Sequence, residues 1–182
     1  MKRLLFFLTV ATLVSCGRSF EKCTAKYAEV GEVSDNRAAV LDINEGVGRW
    51  GYVDGTGRLA IECRYAAARR FADGLAAVQV PEGAWGYIDT VGRLVIAPQF
   101  VLAEPFEDGM AWVQAAGELW GRVDKSGKMV IPCLYSEIGE LDERGWMRVL
   151  RDGKWGYLRE NGEVVVPCDY NLIGEPNAYG LI

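Results

Sequence analysis

A Trp-Gly pair returns at one fixed interval along the chain. It stands at Trp50-Gly51, Trp85-Gly86, Trp120-Gly121 and Trp155-Gly156, 35 residues apart each time. Its surroundings return in phase. Gly57, Gly92, Gly127 and Gly162 lie seven positions after each Trp, and Tyr65, Phe100, Tyr135 and Tyr170 lie fifteen after it. A period of this length marks a repeat architecture. One such unit is too small to bury its own apolar faces, so the units are expected to be stable only as a stack.

Each unit reads as β-structure. The Trp-Gly-Tyr-Val/Ile run is aromatic and β-branched, which suits a strand. Asp54-Gly55-Thr56 and Asp124-Lys125-Ser126 each lead into a Gly as a tight turn does. A second apolar run follows, as in Val95-Ile96 and Val130-Ile131. After the Tyr or Phe, a loop is expected. Then Ala76 to Val80, Ala111 to Gln114 and Met147 to Val149 alternate with period two, the pattern of a half-buried strand. The reading is an all-β chain with about three short strands per unit. The array is expected to be open, solenoid-like or curved. A closed propeller or barrel is the alternative, and three strands fit a four-stranded blade poorly. Trp50, Trp85, Trp120 and Trp155 are assigned to the repeat core, and the Gly beside each is expected to admit a close backbone approach.

These residues resemble the bacterial WG (or KWG) repeat family. The resemblance rests on the Trp-Gly pair, the Gly seven positions on, Val130-Ile131-Pro132-Cys133-Leu134-Tyr135, and Phe106-Glu107-Asp108-Gly109-Met110-Ala111. It implies a β-repeat protein of largely unassigned function and brings no catalytic residues with it.

The chain starts with a different kind of segment. Lys2-Arg3 is followed by an apolar run from Leu4 to Val14, which is short for a membrane span. Leu13-Val14-Ser15-Cys16 resembles a bacterial lipobox. Residues 1–15 therefore read as a lipoprotein signal peptide, with Cys16 as the lipidated residue and 16–26 as a tether. Gly17 rather than Asp after the Cys favours the outer membrane, if the cell is Gram-negative. The array is assigned to 27–182, with units from about 27, 65, 100 and 135 and a partial unit from 170. The extra residues of the first unit are placed in a longer turn, Asn44 to Arg49.

Composition narrows the chemistry. The chain has no His and a net charge of −5 without a basic block, which argues against nucleic acid as a partner. No His also means no Ser-His-Asp or Cys-His site. No cofactor and no metal site is expected. Asp54, Asp89 and Asp124 recur at one turn position and read as turn formers. Cys63, Cys133 and Cys168 share one repeat position and read as small buried residues, with a disulfide between neighbours as the alternative.

A non-enzymatic binding or scaffold module in the cell envelope is the expected function. Its partner is an unknown protein or glycan, and the membrane is reached through the N-terminal lipid. A carboxylate-dependent envelope hydrolase and a structural envelope protein without a dedicated ligand are the alternatives. Candidate binding residues come from where the third unit breaks the pattern. Trp112 stands where its neighbours have Ala77 and Arg148, and Arg122 replaces the Tyr of Tyr52, Tyr87 and Tyr157. Alternation puts Trp112 and Gln114 on one face. An exposed Trp beside an Arg is hot-spot chemistry for a protein partner.

Overall fold

The computed structural model describes residues 26–174. The signal peptide, Cys16, Cys23, nearly all of the tether and the end of the fifth unit lie outside the described residues.

Sixteen strands form four separate antiparallel sheets of four, each in chain order. The first holds β1 (Glu29–Ser34), β2 (Arg37–Asn44), β3 (Val47–Asp54) and β4 (Leu59–Tyr65). The second holds β5 (Ala67–Ala72), β6 (Leu75–Gln79), β7 (Trp85–Asp89) and β8 (Leu94–Phe100). The third holds β9 (Leu102–Ala103), β10 (Met110–Ala115), β11 (Leu119–Asp124) and β12 (Met129–Tyr135). The fourth holds β13 (Glu137–Leu141), β14 (Trp146–Arg151), β15 (Lys154–Arg159) and β16 (Val164–Tyr170). Among the described residues the main contacts between sheets join only successive ones, and none joins the first to the fourth, so the described array is open. Sheet boundaries fall at Tyr65, Phe100 and Tyr135, where the repeat units meet.

Each sheet has one strand more than the sequence pattern indicates. The segment after the Tyr or Phe, expected as a loop, is the first strand of the next sheet. Its pairing slips between Val30 and Val33, Ala68 and Phe71, and Ile138 and Leu141. That irregularity erases the period-two signal. In the third sheet this strand shrinks to Leu102–Ala103, just ahead of Pro105, which has no N–H to donate to a ladder. The first unit's extra residues also differ from expectation. They lengthen β2 and β3, while the turn is only Glu45-Gly46, both left-handed at φ 50° and 79°. Two left-handed residues give the hairpin turn whose twist matches the flanking strands.

The last strand of every sheet carries a two-residue excess. Trp50 pairs with Tyr65 and Tyr52 with Ile61, so Glu62, Cys63 and Arg64 bulge out opposite Gly51. The same slip recurs in the other three sheets. It explains why Pro98, Pro132 and Pro167 sit in strands, since a bulge needs no donor there. It also explains the Gly of the Trp-Gly pair. A Cβ on Gly51, Gly86, Gly121 or Gly156 would lie within 2.5–2.6 Å of a carbonyl oxygen in the bulge.

Sheets stack face to face. Tyr52, Ile61, Phe71, Val78 and Ile88 fill the junction of sheets one and two. Tyr87, Ile96, Phe106, Val113 and Val123 fill that of two and three. Ile131, Met147, Val149 and Leu158 form the core between three and four. Of the four repeat Trp residues only Trp85 is buried; Trp50, Trp120 and Trp155 are half-buried. The deepest position is instead the Tyr two residues on, with Tyr52 and Tyr87 at 0% exposure and Tyr157 at 2%. The indoles sit opposite the last residue of each sheet and reach its margin, which leaves one edge in solvent.

Candidate functional site

The two N-terminal junctions are closed by one repeated set of contacts. Tyr52 meets Phe71 edge-on, with ring centroids 4.7 Å apart, and its hydroxyl donates to the Arg69 carbonyl at 2.7 Å. Tyr87 meets Phe106 at 4.8 Å and donates to the Glu104 carbonyl at 2.8 Å. Ala39 and Ala77, the cross-strand partners of these Tyr residues, leave room for the ring. A backbone staple completes each junction. The Gly74 N–H donates to Asp35 at 2.8 Å, and the Gly109 N–H donates to Asp73 at 2.7 Å.

At the junction of sheets three and four every member of that set changes. Arg122 occupies the Tyr position, Trp112 faces it across the ladder in place of Ala, and Leu141 takes the place of Phe. Leu141 is 43% exposed. The Gly145 N–H bonds to the Asp142 carbonyl of its own turn at 2.9 Å, so Asp108 receives no staple. One contact is kept. Gly92 packs on Ile61, Gly127 on Ile96, and Gly162 on Val130 and Ile131. The sheets are therefore pinned on the Gly162 side and parted along β13, leaving a groove of about 790 Å³.

Arg122 is the centre of this groove. It is 7% exposed, and its Nη1 donates to Glu160 Oε1 at 2.9 Å. The guanidinium lies 5.2 Å from the Trp112 ring centroid, a cation–π contact. Its buried Nε has no acceptor among the described residues. Trp112, Trp120 and Met147 line the floor with Ile138 and Leu141, and Glu104, Glu107, Asp108, Glu137, Glu140 and Glu160 line the sides. Glu104 is paired with Arg69 at 3.0 Å and Glu160 with Arg122. The other four carboxylates are exposed.

The structure thus brings Trp112 and Arg122 together in one groove. Gln114 is not part of it. Its amide donates to the Glu118 carbonyl at 2.9 Å across its own hairpin, as Gln79 does to Gly83. Sequence reading did not single out Leu141 or the carboxylates. Leu141 was legible by the same logic as Arg122, since it breaks the Phe71–Phe106 series. Asp108 holds the repeat position of Asp35 and Asp73, and Glu137 and Glu140 those of Glu29 and Glu32; what the pattern does not say is that they gather beside Arg122.

The recurring Asp residues are turn formers. Asp54 Oδ1 accepts from the Thr56 hydroxyl at 2.6 Å and from the Thr56 and Arg58 N–H groups. Asp124 does the same with Ser126 and Lys128. Asp89 accepts from the Val91 and Arg93 N–H groups. The hydroxyl of Thr56 or Ser126, then the turn N–H groups, hold the Asp54 and Asp124 carboxyls below the usual carboxylate range. A lowered folded-state value stabilises the fold at pH above the unfolded value of about 3.9, and the gain is lost as pH falls through the folded value. Stability is therefore expected to drop below about pH 4. Melting curves against pH should be flatter there for an Asp54→Asn, Asp124→Asn variant than for the parent.

Cys63, Cys133 and Cys168 are free thiols, half-buried in the bulges, and burial pushes all three up in pKa. Among the described residues no group of His, Cys, Asp and Glu side chains converges as a metal ion would require.

Fold and groove define an open tandem β-sheet repeat protein with one widened junction. The family model for the WG containing repeat matches residues 50–80, 85–118, 120–155 and 155–182. These matches span well over half the chain, which belongs to the WG containing repeat family. No curated protein matches it. Among solved structures it is similar to BamB from Moraxella catarrhalis, at 10% identity and a TM-score of 0.41 over 75% of this chain and 48% of that one. It is also similar to HIRA(644-1017), at 14% identity and a TM-score of 0.39 over 69% of this chain and 47% of that one. The chain spans about half the length of each.

Proposed function

We propose that this chain is a non-enzymatic binding or scaffold module of the cell envelope, held to the membrane by lipid on Cys16. One observation carries the binding reading. Two junctions are sealed by the same Tyr–Phe contact, and the third carries an aromatic and acidic groove around a buried Arg. Buried polar groups in folded proteins almost always have partners, and an orphan asks for an explanation. A bound partner would supply the missing acceptor. Catalysis by paired carboxylates needs an acid kept protonated near neutral pH, by desolvation or by a second carboxylate in contact with it. Here four groove carboxylates are exposed and two are ion-paired, which favours recognition over hydrolysis.

Ser136 and Val101 occupy the same repeat position, each the first residue after the aromatic that ends a sheet, and both are exposed. A photo-crosslinking residue at Ser136 should trap an envelope partner in cells, and one at Val101 should not. Equal trapping, or none, from the two positions overturns the groove as the binding site. Loss of lipid labelling in Cys16→Ser tests the anchor separately.

A further inference from the structure

We infer that the groove receives an extended peptide segment bearing lysine or arginine side chains. The inference rests on the reading of the groove as the binding site and names what fills it.

Charge comes first. Glu107, Asp108, Glu137 and Glu140 surround the groove, and none makes an ion pair or side-chain hydrogen bond among the described residues. The one cation in the lining, Arg122, is already matched by Glu160. A ligand without positive charge leaves four like charges around the groove unmatched. A cationic ligand neutralises them.

Arg122 then separates a peptide from other cations. Its Nε is a buried donor without an acceptor among the described residues, in a side chain 8% exposed. Arg69 Nε is likewise buried without an acceptor among the described residues, but its side chain is 32% exposed and lines no part of this groove. A metal ion or a simple amine brings no acceptor for Arg122. A peptide brings a backbone carbonyl with every residue. A neutral sugar has acceptors but leaves the carboxylates unmatched.

Topology supplies the third argument. β13 is the outer strand of the fourth sheet, so its far edge has no strand partner, and it forms one wall of the groove. An extended segment laid along such an edge gains main-chain hydrogen bonds and presents alternate side chains to one side. Alternate basic residues would then meet the carboxylates, with the apolar residues between them facing Trp112, Ile138 and Met147.

The test uses a short fluorescein-labelled peptide of alternating lysine and valine, followed by anisotropy with the lipid-free chain. The groove variant is Glu107→Gln, Asp108→Asn, Glu140→Gln, and the control is Glu29→Gln, Glu32→Gln, Glu62→Gln on the first sheet. All six residues are exposed, so folding should be unaffected. Three ion pairs of the usual surface strength together predict about a tenfold weaker Kd for the groove variant, and about the parental Kd for the control. Binding should also weaken as salt rises. Equal losses in the two variants, or no binding by the parent, overturn the inference. A neutral chito-oligosaccharide is titrated in parallel against parent and an Arg122→Ala, Trp112→Ala variant. Binding of the sugar but not the peptide, lost in that variant, overturns the peptide and spares the groove. Failure of both probes overturns the inference and the groove reading together.

Discussion

Gly121→Ala is expected to destabilise the protein by about 3 kcal/mol, the upper part of the range for overpacking a rigid site. The added Cβ would lie 2.6 Å from the Ile131 carbonyl oxygen, 2.7 Å from Cys133 Sγ and 2.8 Å from the Cys133 nitrogen. Two of these are backbone atoms of a bulge held between paired residues on both sides, so they have little freedom to retreat. Truncating Cys133 to Ala in the same chain should recover only part of the loss, because the backbone contacts remain. Two other glycines calibrate the effect. Gly74 has open space but a φ of 82°, so Gly74→Ala should cost about 1–2 kcal/mol in backbone strain. Gly31 meets nothing closer than 3.5 Å, and Gly31→Ala should be close to neutral. Urea unfolding of the four variants checks the order. A Gly121→Ala loss no larger than that of Gly74→Ala would mean that the bulge yields and does not explain the Trp-Gly pair.

The sequence pattern made some features legible and hid others, for physical reasons. The 35-residue period was readable because every unit solves the same problem: a bulge that needs Gly opposite it and a turn that needs Asp or Asn before Gly. The all-β class and the unit boundaries follow from that. The first strand of each sheet was hidden because its register slips, and a slipped strand does not alternate. The depth of the core was misplaced by two residues. Trp is the larger side chain, yet Tyr sits at the centre because its hydroxyl can reach the backbone of the next sheet. Tyr52, Tyr87 and Tyr157 all donate to a carbonyl seventeen residues on, the last to Gly174. The groove was half legible. Trp112 and Arg122 break visible series, but no local pattern says that Asp108 loses its staple. That depends on the Gly145 turn, 37 residues away, bonding to itself.

Restoring the closed junction is expected to reverse this at a stroke: Trp112→Ala, Arg122→Tyr and Leu141→Phe together should raise stability by about 2 kcal/mol and abolish the groove. The edge-to-face ring pair contributes about 0.5–1.5 kcal/mol beyond its area. The new hydroxyl finds the Gly139 carbonyl at the same seventeen-residue offset, adding about 1 kcal/mol. Removing a buried donor without an acceptor relieves a further penalty. Losing the indole offsets part of this, and Glu160 loses its partner but is 47% exposed in its side chain, so water takes the place of Arg122. The steps should not add. Arg122→Tyr alone sets a Tyr against Trp112 where Tyr52 and Tyr87 face Ala, and overpacking there should cost about 1–3 kcal/mol. Contacting residues of this kind show coupling of about 0.5–3 kcal/mol. The sign change between the single and the triple variant is therefore the informative result. It should be accompanied by loss of crosslinking from Ser136 and of peptide binding. A triple variant no more stable than Arg122→Tyr would mean that the three departures are unrelated drift. A triple variant that is stable and still binds would place recognition outside the groove. The expected result, stability gained as binding is lost, is what a site maintained at the expense of its own junction should show.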